Sequence, residues 1–334
     1  MDRRLILPVL CLIPALFVPQ ILDAVGEGFL IGLATRIVIY GIAAMSLNFI
    51  LGYGGMISFG HAAYFGVGAY MVAILSHHAF EGSTIFGLPG TEFAPASFLV
   101  ALVASALAAL VIGALSLRTA GVYFIMITLA FAQMLFFLFV SLERYGGDDG
   151  LLMFSGRNAM PGLDLSDDVT FYYVCLAVLV GATALFSRLV RSRFGMVLEA
   201  CRQNEPRMRT LGYPVYRYKL TAFVIAGAIA GVAGALHGNQ LEFISPDSLH
   251  WTRSGDLMIM VILGGIGRLH GPVLGAALFL LLEEFLPVIF HALHMPTLQE
   301  HWRIVFGPML ILFVFHAKDG LAGLFSTRGK ETAS

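Results

Sequence analysis

Glu283 and Glu284 fall side by side within a strongly apolar run, and ionisable side chains in such a setting face a cavity or a partner. They suit the passage of a polar solute or the relay of a proton. The plainer alternative is hydrogen bonding to neighbouring helices, or a place near the outer surface. Asn48, His61, Gln133, His237 and Asn239 are further polar groups inside apolar stretches. His61, just inside a span, reads as a hydrogen-bonded structural residue rather than a proton relay. Catalytic patterns are thin. No GxxxxGK[ST] occurs, and the lysines Lys219, Lys318 and Lys330 have no phosphate-loop context, so the chain does not hydrolyse ATP by the usual route. HExxH and GxSxG are absent. His77, His78, His291, His294 and His301 lack cysteine or carboxylate partners at ligand spacing, so no metal site is expected. Cys11, Cys175 and Cys201 are scattered and form neither a disulfide framework nor a CxxC pair.

Glycine is the other residue with a physical message. Gly52, Gly54, Gly55, Gly60, Gly66 and Gly68 crowd the stretch 51–70, which also holds Ser58. Gly54-Gly55 can supply a positive φ for a tight turn. Gly66 and Gly68 clear side chains from one stretch of helix, which suits either a close helix crossing or a solute passage. Gly227, Gly231, Gly234 and Gly238 repeat the small-residue spacing that lets helices approach. A second glycine-rich hairpin covers 264–272.

The elements that position these residues are membrane spans. Of 334 residues, 58% are hydrophobic and 12% charged, with mean hydropathy +0.84. A soluble chain carries about 25% charged residues. A span needs about 20 apolar residues to cross a hydrocarbon core of about 30 Å. Candidate spans are 5–22, 29–51, 58–76, 96–116, 121–141, 170–190, 218–240, 257–267, 272–290 and 303–317, so the fold class is an all-α integral membrane protein with about ten transmembrane helices. β-Barrel strands would be half as long and alternate in polarity. The first span follows Asp2-Arg3-Arg4 but lacks a clear cleavage site, and is read as uncleaved. Most of the 20 basic residues fall on one side of these spans, while 142–169 is acidic; the positive-inside bias then puts both termini in the cytoplasm. With no linker or low-complexity tract, 1–318 reads as one polytopic domain and 319–334 as a short cytoplasmic tail. The formal net charge of −1 gives no reason to expect nucleic acid. The loop 188–219 is the sizeable basic one. Phe194, Val197, Leu198 and Cys201 recur at helical spacing opposite Arg202 and Gln203, Asn204-Glu205-Pro206 starts a second turn, and Gly212 stops it.

Taken in order, several of these stretches resemble the membrane permeases of branched-chain amino acid ABC importers, of the LivM type. The resemblance rests on Leu47-Asn48, Gly52-Tyr53-Gly54-Gly55 and 58–70. It continues through Arg118-Thr119-Ala120-Gly121-Val122-Tyr123-Phe124, the stretch from Ala200-Cys201-Arg202-Gln203-Asn204-Glu205 to Leu211-Gly212, and Gly264-Gly265-Ile266-Gly267 with Gly271-Pro272. It implies a subunit of the bacterial inner membrane, surrounded by lipid and paired with a LivH-like permease. Two cytoplasmic ATPases would use ATP and magnesium, and a periplasmic binding protein would deliver the solute; the chain itself would bind no cofactor. On this resemblance Glu199, Ala200, Arg202, Asn204, Glu205, Arg207, Leu211 and Gly212 couple to an ATPase, and Asn48, Ser58, His61, Gly66, Gly68, Glu283 and Glu284 are candidates for the translocation path. Urea and short-chain amide importers have similar permeases. The alternative of a different class is a proton-coupled secondary transporter using Glu283 or Glu284.

Overall fold

A computed structural model describes residues 16–20, 28–85, 88–293, 301–316 and 320–324. Most of the expected first span and of the C-terminal tail, together with Cys11 and His294, lies outside the described residues. The helices are α1 (Gly28–Asn48), α2 (His61–Glu81), α3 (Ala94–Ser116), α4 (Val122–Val140), α5 (Asp168–Arg191), α6 (Arg193–Gln203), α7 (Glu205–Thr210), α8 (Val215–Leu241), α9 (Trp251–Gly264), α10 (Gly271–Ala292), α11 (Trp302–His316) and a last turn, α12 (Leu321–Leu324). Two-residue strands pair at one end of the bundle: β1 (Thr84–Ile85) with β2 (Leu88–Pro89), and β3 (Leu151–Leu152) with β4 (Phe243–Ile244).

Among the described residues, six helices are long and apolar enough to cross a membrane: α1 with its continuation to Tyr53, α3, α4, α5, α8 and α10. Their outward faces carry large apolar side chains such as Leu107, Met126, Phe137 and Val288, which suit lipid. Helix α2 has the length, at 21 residues, but not the apolarity. Protein surrounds it instead: α3, α4, α8 and α9 pack against it, and Tyr64 and Tyr70 are wholly buried. A helix that meets no lipid needs no lipid-like composition.

Two crossings are broken. Helix α1 ends in one wide π turn over Phe49–Tyr53; the chain turns at Gly55 (φ +67°) and runs without regular structure until α2 begins at His61, not at 58. The expected span at 257–267 is instead α9, of 14 residues, preceded by a 3-10 turn at Pro246–Leu249. Fourteen residues rise about 21 Å, too little for the apolar core alone. The 3-10 turn packs against α2, where Leu249 fills the space over Gly66. Non-helical backbone at this depth is tolerated only where protein or a watery cavity receives it.

The opposite ends differ in charge. At one, Arg157 pairs with Asp168 and Glu242, and Asn158 donates to Asn239 Oδ1 (2.9 Å) and to Ser97 Oγ (2.8 Å), tying the acidic loop to α3 and α8. The other carries α6 and α7 with their arginines.

Candidate coupling joint and transmembrane polar site

The basic end holds a joint between segments far apart in sequence. Asn48 Nδ2 donates to the Arg268 carbonyl at 2.9 Å, and the Gly267 N–H donates back to Asn48 Oδ1 at 2.9 Å. This clamps the end of α1 onto the loop between α9 and α10. The backbones touch: a Cβ on Gly52 would stand 2.5 Å from the Gly267 nitrogen. Arg202, near the end of α6, lies over the same place. Its guanidinium donates to the Gly52 carbonyl, and its Cγ would stand 2.9 Å from a Cβ on Gly55. The two glycine-rich hairpins and α6 therefore meet at one point.

Local sequence builds the helices that carry Arg202. Ser192 caps α6 by accepting from the Gly195 N–H, Asn204 ends α6 and caps α7 by accepting from the Arg207 N–H at 3.0 Å, and Gly212 closes the motif with φ +83°. Leu198 and Cys201 are buried under α6 as its spacing requires. Phe194 stacks on Tyr218 at 5.5 Å, and Tyr216 donates to the Ala114 carbonyl at 2.9 Å, so α6, α8 and α3 are linked. Glu199, Asn204, Arg207, Leu211 and Gly212 point outward, and Leu211 and Met196 offer exposed apolar surface. Ala200 is half-buried against the Cys201, Met208 and Val215 cluster.

Glu205 belongs to that support. Burial opposes its charge, but hydrogen bonds and charges from Lys219 and Arg209 outweigh burial and hold its carboxyl below the ordinary 4.5. A lowered carboxyl pKa stabilises the folded segment above pH 4.5 and loses that contribution as the pH falls through the folded-state value. Trypsin is expected to cut α7 at Arg207 and Arg209 several-fold faster in Glu205→Gln or Lys219→Gln than in the parent. Acidification from above pH 4.5 down through the lowered folded-state value should loosen the parent segment in the same way, read by an acid-active protease; unchanged cleavage in both variants would show that the ion pair does not hold the segment.

The path candidates separate by environment. His61 Nε2 shares a hydrogen bond with Ser46 Oγ at 2.7 Å, and the Ser58 hydroxyl accepts from the Gly60 N–H at 3.2 Å; both side chains are fully buried. Gly66 and Gly68 do not line open space. A Cβ on Gly66 would lie 2.3 Å from Leu249, and one on Gly68 would lie 2.0 Å from the Gly231 carbonyl oxygen. They permit close crossings, as do Gly227, Gly231 and Gly234 from α8.

Glu283 and Glu284 are ion-paired with Arg36 of α1, at 3.3 and 3.9 Å. Arg36 lies within α1, where two carboxylates on α10 receive it, and Arg253 lies on α9 at 3.8 Å from Asp256. Sequence reasoning missed Arg253 and Asp256 as a pair, although their i,i+3 spacing on one helix face was the available signal. His77 and His78 are occupied locally, by Glu81 and by Ser83 and Tyr145.

The profile of the family described as the permease component of the branched-chain amino acid transport system matches residues 29–314. The chain is 30% identical over 314 residues to the high-affinity branched-chain amino acid transport system permease protein LivM of Salmonella typhimurium, covering 87% of this chain and 69% of that one. It is 25% identical over 299 residues to the permease protein BraD of Pseudomonas aeruginosa, with 85% and 91% covered. A match at 24% identity to a probable LivH of Methanocaldococcus jannaschii covers 46% of this chain and 47% of that one. No solved structure matches.

Proposed function

This chain belongs to the branched-chain amino acid transport permease family, and from that membership we propose that it is the LivM-type membrane subunit of an ATP-driven importer for branched-chain, hydrophobic amino acids. It is a multi-pass membrane protein and its relatives are transport subunits rather than enzymes. In this reading the chain crosses the bacterial inner membrane about ten times, with the basic end and both termini in the cytoplasm. A LivH-like permease sits beside it. Two ATPases carry ATP and magnesium, and a periplasmic binding protein supplies the solute.

The observation that carries the coupling part is the contact of Arg202 with Gly52. A push on the outward face of α6 and α7 reaches the ends of α1, α9 and α10 through one guanidinium and the Asn48 clamp. Movement transmitted there would open and close whatever those helices enclose. The chain needs no nucleotide chemistry of its own for this role.

Leucine uptake into vesicles containing the assembled complex is expected to require internal ATP, and two P-loop ATPase chains are expected to co-purify in mild detergent. Uptake undiminished without ATP, or collapsing with a protonophore and borne by this chain alone, would overturn the proposal in favour of secondary transport. Competition by urea or short amides, with none by leucine, would move the substrate class and leave the machine intact.

A further inference from the structure

The ion pairs at membrane depth have more charge than packing requires. Glu283 stands about 18 Å along α10 from Gly271, and Arg36 about 12 Å along α1 from Gly28, so neither lies near a helix end. Lipid cannot solvate such groups, and they face a cavity, water or another polypeptide. They are nevertheless partly open: side-chain exposure is 30% for Arg36, 24% for Glu283 and 32% for Glu284, and 39% and 34% for Arg253 and Asp256. The pairs are also loose, at 3.3, 3.9 and 3.8 Å, whereas closed charge-assisted hydrogen bonds run to about 2.7–2.9 Å. The helices that carry the two clusters pack together, α9 and α10 against each other and both against α1. A separate observation points to a missing group. His237, whose ring meets Tyr40 edge-on at 5.4 Å, is buried, and its Nδ1 has no hydrogen-bond partner among the described residues. Buried polar atoms in folded proteins are nearly always satisfied.

We propose that Arg36, Tyr40, Arg253, Asp256, Glu283 and Glu284 form a cradle for the zwitterionic head of an α-amino acid as it passes the middle of the membrane. The carboxylates receive the ammonium group and the guanidinium forks receive the carboxylate, a planar acceptor that they can hold by two bonds. Existing pairs exchange partners, so no charge is left bare when the solute leaves. The broken approach to α9 keeps Arg253 at this depth, where the helix starts only two residues earlier. This inference rests on the amino-acid transport reading above and names the place where that solute is held.

Asp256→Asn and Glu283→Gln are each expected to lower leucine uptake by the assembled complex about tenfold or more, the cost of one lost charged contact, while the partner ATPases still assemble and turn over. Uptake within twofold of the parent would overturn the cradle. For variants that fail to assemble, Glu284→Cys decides. Its thiol should react with a membrane-impermeant sulfonate reagent, against a Cys11→Ser background whose remaining Cys175 and Cys201 are buried. Leucine should slow that reaction, and 4-methylpentanamide, which lacks both charges, should not. An unreactive thiol, no protection, or equal protection by the amide would each overturn the proposal. A parent complex without leucine uptake would instead sink the transport reading, because the labelling reads the cradle without transport.

Discussion

Replacing Arg202 by alanine is expected to cut leucine uptake by about tenfold to a hundredfold while ATP turnover by the partner subunits continues. The guanidinium is the side-chain link from α6 to the Gly52 carbonyl; it would stand 3.8 Å from a Cβ on Gly267, and the stem of the same side chain covers Gly55. A hydrogen bond to a charged group contributes roughly 1.5–3 kcal/mol, and 1.4 kcal/mol is about tenfold in an equilibrium. If that energy keeps α6 and the two hairpins moving as one body, its loss separates hydrolysis from transport. The Asn48 clamp would remain, because its partners are Gly267 and Arg268. Arg202→Lys should fall between, since an ammonium can reach one carbonyl but lacks the planar fork. Uptake by Arg202→Ala equal to the parent, at equal amounts of assembled complex, would show that the work enters elsewhere.

That joint was half legible in the sequence. The spacing of Phe194, Leu198 and Cys201, the cap at Asn204 and the stop at Gly212 are local signals, and the helices form where those residues put them. What Arg202 touches was not legible: it reads as a solvent-side residue opposite the apolar stripe, and its partner is 150 positions away. Asn48 shows the same limit, with partners 219 and 220 positions off. Hydropathy placed α2 within a few residues, at 58–76 against His61–Glu81, and misplaced the start of α9. Helix α2 is shielded by its neighbours, so its histidines and glycines cost nothing in lipid contact. Helix α9 begins at Trp251 with Arg253 and Asp256 in its first two turns, which an apolarity reading trims to 257. The first turns of α9 tolerate charge because Arg253 and Asp256 pair with each other at i,i+3 on one face of that helix.

Substituting alanine for Gly234 is expected to destabilise the protein by about 1–3 kcal/mol or more, the scale of overpacking where the obstacle cannot turn aside. The added Cβ would stand 1.8 Å from the Phe65 carbonyl oxygen, which is backbone and fixed within α2. Gly68 repeats the conflict from the other helix at 2.0 Å from the Gly231 carbonyl oxygen. Inside a bilayer the hydrophobic effect does not hold helices together, so association depends on such close packing. Prising α2 from α8 also moves the start of α2, where Ser46 holds His61 and Ser254 receives the Ala62 N–H at 2.8 Å. Gly181→Ala is the matched control: its Cβ meets nothing within 4 Å, and α5 should gain up to about 1 kcal/mol of helix propensity. Thermal unfolding in detergent, followed by loss of the monodisperse chromatographic peak, should therefore place Gly234→Ala well below the parent and Gly181→Ala at or above it. Equal melting of the two variants would mean that α2 and α8 can separate at no cost, and that the small-residue seam does not hold the bundle together.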